Sequence, residues 1–270
     1  MARHNEVFLY GQIISEPRNS DKKIMFCLNI IRGIRDFGDN ISELKYDAPI
    51  IMSFNPEIIA IAKDFKKGDM VEVKGTITTK EVNKSALCPH CGHKTIAQGT
   101  IVFINPIYIS KREEGVSHDE GLMLLKKRVE ISNTIKVIGR LCRDPEHYVS
   151  KTGKHVTQYQ LAVNRKFHIK EDSTEVRTDY PWVKSYGNVA VEDAKFLKTG
   201  SLVYIDGMLQ SRKVERTSTC ESCGESFVWH DNALEIVPYA VEYLQDYITP
   251  EEYEQKEEEE NKAIIENVFK

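Results

Sequence analysis

The sequence predicts an all-β protein built from two copies of one small domain. The motif Cys-x-x-Cys-Gly begins at Cys88 and again at Cys220, an offset of 132 residues. The same offset aligns "KKGDMVEVKGTITTKEV" with "KTGSLVYIDGMLQSRKV" further along the chain. Near the start of each copy, "VFLYGQIISEP" aligns with "IKVIGRLCRDP" at an offset of 128, because the second copy has about four more residues in the loop that follows. A shared offset at so many positions indicates an internal repeat.

Each copy is predicted to contain five strands and one helix. In the second copy, the strands are the run around Val137, "KHVTQYQLAVNRKF", "DYPWVKSYG", "SLVYIDGMLQSRKV" and "ALEIVPYAVEYL". They are rich in β-branched residues and alternate with a period of two. The segment "NVAVEDAKFLKTG" has a helical pattern that ends at Gly200. Five strands with a helix between the third and the fourth follow the order of an OB-fold, a five-stranded Greek-key barrel. Each Cys-x-x-Cys then lies between strands four and five.

The predicted organisation is two tandem OB-fold barrels with a short linker helix and an acidic C-terminal helix or tail. Ser117 and Glu120 form a candidate capping box in the linker, and Thr249 precedes Pro250 as a candidate N-cap of the last helix. The predicted bounds are 1–112 for the first barrel, 113–130 for the linker, 131–246 for the second barrel and 247–270 for the tail.

Charge and composition limit the function classes. The chain of 270 residues has a net charge of −4, but residues 246–270 hold nine acidic residues and three Lys, which leaves a mildly basic body of +2. The N-terminus "MARHNEVFLYGQ" has no apolar signal core, and no run is long enough to cross a membrane. We therefore expect a cytoplasmic protein without a membrane partner, in which the six cysteines stay reduced and serve metal binding or packing.

The third strand of the second copy carries the strongest functional signal. Alternate residues of a strand share a face, so Tyr180, Trp182, Lys184 and Tyr186 should lie together. Aromatic rings beside a cation form a base-stacking surface for single-stranded nucleic acid, where each base contributes about 1–3 kcal/mol. The alternative is that these rings belong to the core. Candidate residues that extend the surface are Phe167 and Arg165, and candidate phosphate contacts are Arg140, Arg143, Arg212 and Lys213.

The first copy differs at the same positions. The corresponding face carries Ala48, Ile50, Met52 and Phe54, so only one ring remains and the Lys is absent. An apolar face of this kind favours contact with protein. Candidate nucleic-acid contacts of the first copy are Phe54 and Arg32, with Arg35, Phe37 and Tyr46 as further residues to consider.

The two Cys-x-x-Cys turns predict a structural zinc site. One turn supplies two thiolates and tetrahedral Zn²⁺ takes four ligands, so Cys88, Cys91, Cys220 and Cys223 would form one shared site that fastens the two copies together. Separate sites completed by His90 or His93 and by His230 are an alternative, as is no metal at all. Cys27 and Cys142 have no partner spacing and are expected to be small core residues.

The second copy resembles the bacterial single-stranded-DNA-binding protein family. The resemblance lies in "VIGRLCRDPEHYVSKTGKHVTQYQLAVNRKF", "TDYPWVKSYG", "KFLKTGSLVYIDGMLQSRK" and "NALEIVPYAVEYL", and it is fainter over residues 5–110. It implies OB-folds that bind single strands without catalysis in DNA replication, recombination or repair, with stacking aromatics at Phe167, Tyr180 and Tyr186. It also implies four OB-folds per assembly, hence a homodimer here. The family's apolar tail tip, which recruits partner proteins, does not match "IIENVFK", and Val214 replaces a family aromatic.

Three function classes follow from these patterns. The first is a non-enzymatic single-strand binder, which we favour, and the second is an OB-fold adaptor that binds protein partners in a replication or DNA-transfer complex. The third, a zinc enzyme acting on nucleic acid, is disfavoured because the sequence has no G-x-x-x-x-G-K phosphate loop and no H-E-x-x-H motif. Replication or recombination proteins are candidate partners of the acidic tail, whose apolar end contains Ile264, Ile265, Val268 and Phe269.

Overall fold

The computed structural model describes residues 4–33, 44–165 and 178–268. The elements of the first copy and the linker are β1 (His4–Ile13), β2 (Arg18–Ser20), β3 (Lys23–Ile31), β4 (Tyr46–Asp47), β5 (Ile50–Ser53), α1 (Pro56–Ala62), β6 (Met70–Leu87), β7 (Lys94–Glu113), α2 (His118–Lys126) and α3 (Val129–Ser132). The elements of the second copy and the tail are β8 (Asn133–Leu141), β9 (Glu146–Val149), β10 (His155–Asn164), β11 (Thr178–Asp179), β12 (Trp182–Tyr186), α4 (Gly187–Phe196), β13 (Leu202–Thr219), β14 (Ser226–Gln245) and α5 (Pro250–Val268).

Each copy forms a closed five-stranded barrel, as predicted. In the first copy, β1 pairs with β3 and β6, β6 pairs with β7, and β5 closes the ring by pairing with β3 and, in parallel, with β7. The second copy repeats this order with β8, β10, β12, β13 and β14. A helix follows the third strand in both, α1 and α4. The two tandem OB-folds expected from the sequence are confirmed.

The two barrels are joined by their first strands. β1 and β8 pair antiparallel from His4 opposite Ile138 to Leu9 opposite Asn133, so one sheet runs through both copies. The join is reinforced by equivalent side chains: the amide of Asn5 pairs with the backbone of Ile77 at 3.0 and 2.9 Å, and that of Asn133 pairs with Leu209 at 2.8 and 2.8 Å. The copies are therefore related by an approximate two-fold axis.

Long hairpins project from both barrels. The burial of β6 and β7 changes from continuous to alternating beyond Lys80 and Ile101, which face each other in the ladder. We call residues 80–101 the first arm and the equivalent residues 212–233 the second arm. Each arm ends in a Cys-x-x-Cys turn, at the place between strands four and five that the sequence predicts.

The linker and the tail are helical and both touch a barrel. Ser117 caps α2 by accepting a hydrogen bond from the Glu120 backbone N–H at 3.3 Å, and Leu125 packs with Tyr10, Ile31 and Met70 of the first copy. Thr249 and Glu252 form a reciprocal capping box at the start of α5, with N–H contacts of 2.9 and 3.2 Å. Of the apolar tail end, the side chains from residue 263 onward and all of Phe269 lie outside the described part.

Most of the apolar core lies inside the two barrels and continues across their junction. The expectation that Cys27 and Cys142 are small core residues is wrong: Cys27 is half-buried and Cys142 is exposed. Cys142 directly follows the last residue of β8, where the chain leaves the barrel. None of the helices in the described part of the chain combines the length and apolar character that a membrane crossing requires.

Candidate nucleic-acid interface and cysteine cluster

The predicted aromatic face, which consists of Tyr180 and alternate residues of β12, is on the outside of the second barrel. Pro181, Val183 and Ser185 are buried, whereas the alternate residues are half-buried or, for Tyr180, 49% exposed. The alternative that the rings form the core is therefore wrong. We call the outward set the platform; it consists of Tyr180, Trp182, Lys184 and Tyr186.

A cation lies directly against one of the platform rings. The guanidinium carbon of Arg143 stands 4.6 Å from the centre of the Trp182 ring, a geometry of mutual attraction between a cation and an aromatic face. The Tyr186 hydroxyl accepts a hydrogen bond from the Gln210 amide at 3.3 Å. The platform thus presents flat apolar rings with positive charge beside them, and bases and phosphates need these two features together.

Tyr148 on β9 is a further aromatic residue of this surface that the sequence pattern did not indicate. In the ladder, Tyr148 stands opposite Val156, which stands opposite Tyr186, so all three share a face. Tyr148 is 42% exposed, and the Lys184 ammonium lies 5.6 Å from the centre of its ring. β9 has only four residues, all exposed, so its burial pattern carries no periodicity. The hairpin turn at Gly153 is the sequence feature that predicts the pairing of β9 with β10, and this pairing places Tyr148 on the same face as Tyr186.

A groove of about 390 Å³ runs beside the platform. Tyr180 and Trp182 line it together with Arg212 of β13. Arg212 donates to Glu235 Oε1 from Nε at 2.8 Å, and this hydrogen bond raises the pKa of the guanidinium. The second oxygen of Glu235, Oε2, is buried without a hydrogen-bond partner among the described residues.

Arg165 and Arg32, both predicted as nucleic-acid contacts, are engaged in ion pairs within the protein, and Arg165 is buried. Arg165 is 6% exposed and makes a bidentate pair with Asp179 at 2.6 and 2.8 Å. Arg32 makes the same pair with Asp47 at 2.6 and 2.9 Å. Each carboxylate also accepts from the other copy: Asp47 from the backbone N–H of Ser211 at 2.7 Å, and Asp179 from that of Thr79 at 2.8 Å. These charges hold the two copies together.

The remaining predicted residues fall into three groups. Arg140 is engaged at the base of the tail, where it donates to Gly200 O at 2.6 Å and to Asp246 at 2.7 Å. Lys213 is exposed on the second arm, and Tyr46 packs in the cluster around Leu125. Phe167, Arg35 and Phe37 lie outside the described residues.

At the equivalent described positions, the first copy does not form a platform. Ala48 is exposed and Ile50 is half-buried, but Met52 is only 5% exposed. Phe54 keeps its ring at the surface edge, with the Lys80 ammonium 5.2 Å from the ring centre. The outward face is therefore small and largely apolar.

The two Cys-x-x-Cys turns have the same backbone geometry. In the first, the Gly92 N–H donates to Cys88 O and the Cys88 N–H donates to His93 O, both at 2.9 Å; the second repeats both bonds around Cys220. Gly92 and Gly224 have φ angles of +72° and +75°, which only glycine adopts without strain. The glycine in the motif therefore permits the turn that points both thiols the same way.

The arms bring all four thiols together. Cys88 Sγ lies 3.8 Å from Cys223 Sγ, Cys91 Sγ lies 3.6 Å from Cys220 Sγ, and all four sulfurs lie within 4.8 Å of one another. A tetrahedron with Zn–S bonds of about 2.3 Å has S–S edges of about 3.8 Å. A hydrogen bond from the Cys223 backbone N–H lowers the pKa of the Cys220 thiol to about 6. Despite a hydrogen bond from the Glu225 backbone N–H, desolvation and contacts with the other three thiols raise the pKa of Cys223 to about 12. The cluster is compatible with a metal site, and Phe227 and Trp229 cover it.

Solved structures share this fold over nearly the whole chain. The wild-type single-stranded DNA binding protein from Thermus aquaticus superposes with a TM-score of 0.57 at 17% sequence identity, covering 91% of this chain and 95% of that one. A deletion mutant of the Thermus protein gives a TM-score of 0.56 at 19% identity. At this identity the likeness concerns the fold alone.

Sequence comparison places the second copy in a family. Residues 132–223 match the Single-strand binding protein family. The chain is 32% identical over 96 residues to a single-stranded DNA-binding protein of Staphylococcus epidermidis, covering 36% of this chain and 71% of that protein. It is 39% identical over 84 residues to single-stranded DNA-binding protein 1 of Streptococcus pyogenes, but spans 63% of that protein, and 47% of single-stranded DNA-binding protein A of Bacillus subtilis. The chain thus belongs to the single-strand binding protein family.

Proposed function

We propose that the chain binds and protects single-stranded DNA, without catalysis, in replication, recombination or repair. The observation that carries the proposal is the platform: its aromatic residues stand outside the barrel, and the Arg143 guanidinium lies against the Trp182 ring. The names of the relatives, single-stranded DNA-binding proteins, support the same substrate.

The mechanism follows from the surface chemistry. Bases unstack from one another and stack on Trp182, Tyr180 and Tyr186, which gives about 1–3 kcal/mol per base whatever the sequence. Arg143 and Lys184 contact the phosphates, together with the exposed Lys213. Their release of counterions makes the affinity fall with salt. Tyr148 extends the stacking surface along β9, and Phe54 is the corresponding single ring of the first copy.

A second part of the proposal is a structural Zn²⁺ held by Cys88, Cys91, Cys220 and Cys223. The sulfur spacing supports one shared site, and His90, His93 and His230 are outside the described four-ligand cluster. Four thiolates leave no position open for water, so the ion would fasten the arms rather than act in chemistry. A reducing compartment such as the cytoplasm, where we place the protein, preserves these thiols.

The assembly we propose is a homodimer, which provides four OB-folds. The alternative function, an adaptor that binds protein partners, is favoured by one observation: Ala48 and Ile50 form an outward apolar patch where the second copy has its platform. In that case the first copy would bind protein while the second binds DNA. The acidic tail is the proposed site for replication or recombination proteins.

The proposed function is tested by a competition gel shift with the full chain. A labelled single-stranded DNA of mixed sequence is challenged with unlabelled single-stranded DNA, the same sequence as duplex, and the same sequence as RNA. We expect single-stranded DNA to compete most strongly and duplex to compete weakly, because a duplex keeps its bases stacked inside. Equal competition by duplex and single strand would contradict base stacking and leave only charge as the source of binding.

A further inference from the structure

The groove beside the platform is built from both copies. One side consists of the second copy's Tyr180 and Trp182, and the other includes Gly99, Thr100 and Val102 of β7 in the first copy. Its volume of about 390 Å³ is at the lower end of the range for small-ligand sites, about 300–1,000 Å³. The first copy, whose own stacking face is small, therefore lines one side of the groove beside the second copy's platform.

The first arm is held firmly in this position. Lys84 on the first arm contacts both oxygens of Asp231 on the second arm, at 2.8 and 2.7 Å, and both side chains are mostly buried. Arg216 contacts the same carboxylate at 3.2 Å. Gly99 makes room for this ion pair, since a Cβ atom there would lie 2.9 Å from Lys84 Cδ.

The start of the platform is also fixed by the first copy. The backbone N–H of Tyr180 donates to the Thr79 hydroxyl at 2.9 Å, and Asp179 accepts from the Thr79 backbone. Thr79 lies directly before the first arm. The distance between the arm and the platform is thus set by contacts at both ends of the groove.

We propose that this groove is a nucleotide subsite shared by the two copies, in which the strand stacked on Trp182 passes beneath the first arm with Thr100 facing it. The proposal rests on the proposed function and adds where the strand runs. Arg212 and Arg216 line the groove, where each pairs with a carboxylate (Glu235 and Asp231) and keeps further N–H donors for a phosphate.

A wall on the second side changes the energetics of the site. It excludes water from one edge of the stacked base, so charges in the groove act through a lower effective dielectric than on an open surface. A charge placed at Thr100, which is exposed in the groove, should therefore act strongly on a bound phosphate chain. The same charge placed further out on an arm should act weakly.

The test uses the full chain and a fluorescent single-stranded DNA at low salt. Thr100→Glu and Thr100→Lys are compared with the matched pair Thr217→Glu and Thr217→Lys, where Thr217 is exposed on the second arm outside the groove. We expect Thr100→Glu to weaken binding about tenfold and Thr100→Lys to tighten it, with Thr217 variants within about twofold of wild type. Melting curves establish that each variant is folded.

The outcomes separate this proposal from the proposed function. If Trp182→Ala weakens binding but the Thr100 variants behave like wild type, the shared groove is wrong and the platform stands. Equal effects at Thr100 and Thr217 would also overturn it, since they would indicate general electrostatics. Failure of the wild-type chain to bind any single strand would overturn the proposed function itself.

Discussion

At the scale of single residues, helix α4 carries a buried carboxylate whose position is occupied in the first copy by Ile61. Asp193 is fully buried and accepts hydrogen bonds from the Tyr159 and Tyr243 hydroxyls at 3.2 and 2.9 Å. Burial raises its pKa to about 6 despite these hydrogen bonds. Ionisation of Asp193 therefore destabilises the folded protein.

This shift predicts a pH dependence of stability. The folded pKa of about 6 exceeds the unfolded value of about 3.9. The contribution of protonated Asp193 to the free energy of unfolding is therefore complete below the unfolded pKa and is lost as pH rises through 6. Between pH 5 and pH 7 the free energy of unfolding should fall by about 1 kcal/mol from this group. Urea unfolding of Asp193→Asn at both pH values should lack that fall, whereas Glu215→Gln, at an exposed site, should keep it. An unchanged pH dependence in Asp193→Asn would contradict the account.

The platform could be predicted from the sequence because a strand with period two needs only local information. The same information could not place Arg165, since its partner Asp179 is 14 residues away in a two-residue strand, and the burial of both depends on Thr79 of the other copy. Tyr148 was likewise set by pairing across a hairpin rather than by its own pattern.

At the scale of elements, the two arms are two-stranded ribbons that project from the barrels and carry the cysteine thiols at their ends. Alternating burial along β6 and β13 beyond the barrels shows that they are ribbons with one face free. A two-stranded ribbon is marginal alone; the ion pair between Lys84 and Asp231 and the cysteine cluster join the two arms. The spacing of the cysteines predicted the turns, whereas the lengths of the ribbons are set by the pairing of β6 with β7 and of β13 with β14.

Metal analysis tests the cluster. The purified full chain should contain one zinc per chain, and Cys88→Ser and Cys220→Ser should each release it and lower the melting temperature, because three thiolates do not complete the tetrahedron. Cys142→Ser, at an exposed cysteine outside the cluster, should keep the metal. Two zinc ions per chain, or loss of zinc from only one of Cys88→Ser and Cys220→Ser, would exclude a shared site.

The tail helix is anchored at its start. The Tyr253 ring contacts Phe196 of α4 at 6.0 Å between centres, and the Lys195 ammonium lies 5.4 Å from the Tyr253 ring. The acidic residues that follow on α5 are exposed where their side chains are described. The helix and its capping box were predictable from Thr249 and Glu252, whereas the contact with α4 depended on the tertiary fold.

Removing the charge beyond this anchor should tighten DNA binding at low salt. A tethered polyanion competes with phosphates for the same cations, and its reach grows with the Debye length, about 30 Å at 0.01 M. We expect deletion of residues 257–270 and replacement of Glu257–Glu260 by Gln to act in the same direction, with the gain lost at high salt. Unchanged affinity combined with a lower melting temperature would indicate a helix that only stabilises the barrel.

At the scale of the whole molecule, a nearly symmetric frame carries two different faces. The pairing of β1 with β8 and the Asn5 and Asn133 amides repeat around one axis. Residues at the same offset then diverge: Trp182 stands where the first copy has Ile50. The repeat and the barrel order were readable from the sequence because both leave local patterns. The groove that both copies line could not be predicted from the sequence, because it forms only when the first arm packs beside the second copy.

The central claim, that the second copy's platform binds single-stranded DNA, is tested by fluorescence anisotropy of a labelled oligonucleotide with three full-length proteins: wild type, Trp182→Ala, and Ile50→Ala as the matched position in the first copy. The loss of one stacked base, about 1–3 kcal/mol, should weaken binding by Trp182→Ala roughly tenfold or more, while Ile50→Ala stays within about twofold of wild type. Equal affinity of Trp182→Ala and wild type, or a larger loss in Ile50→Ala, would contradict the account.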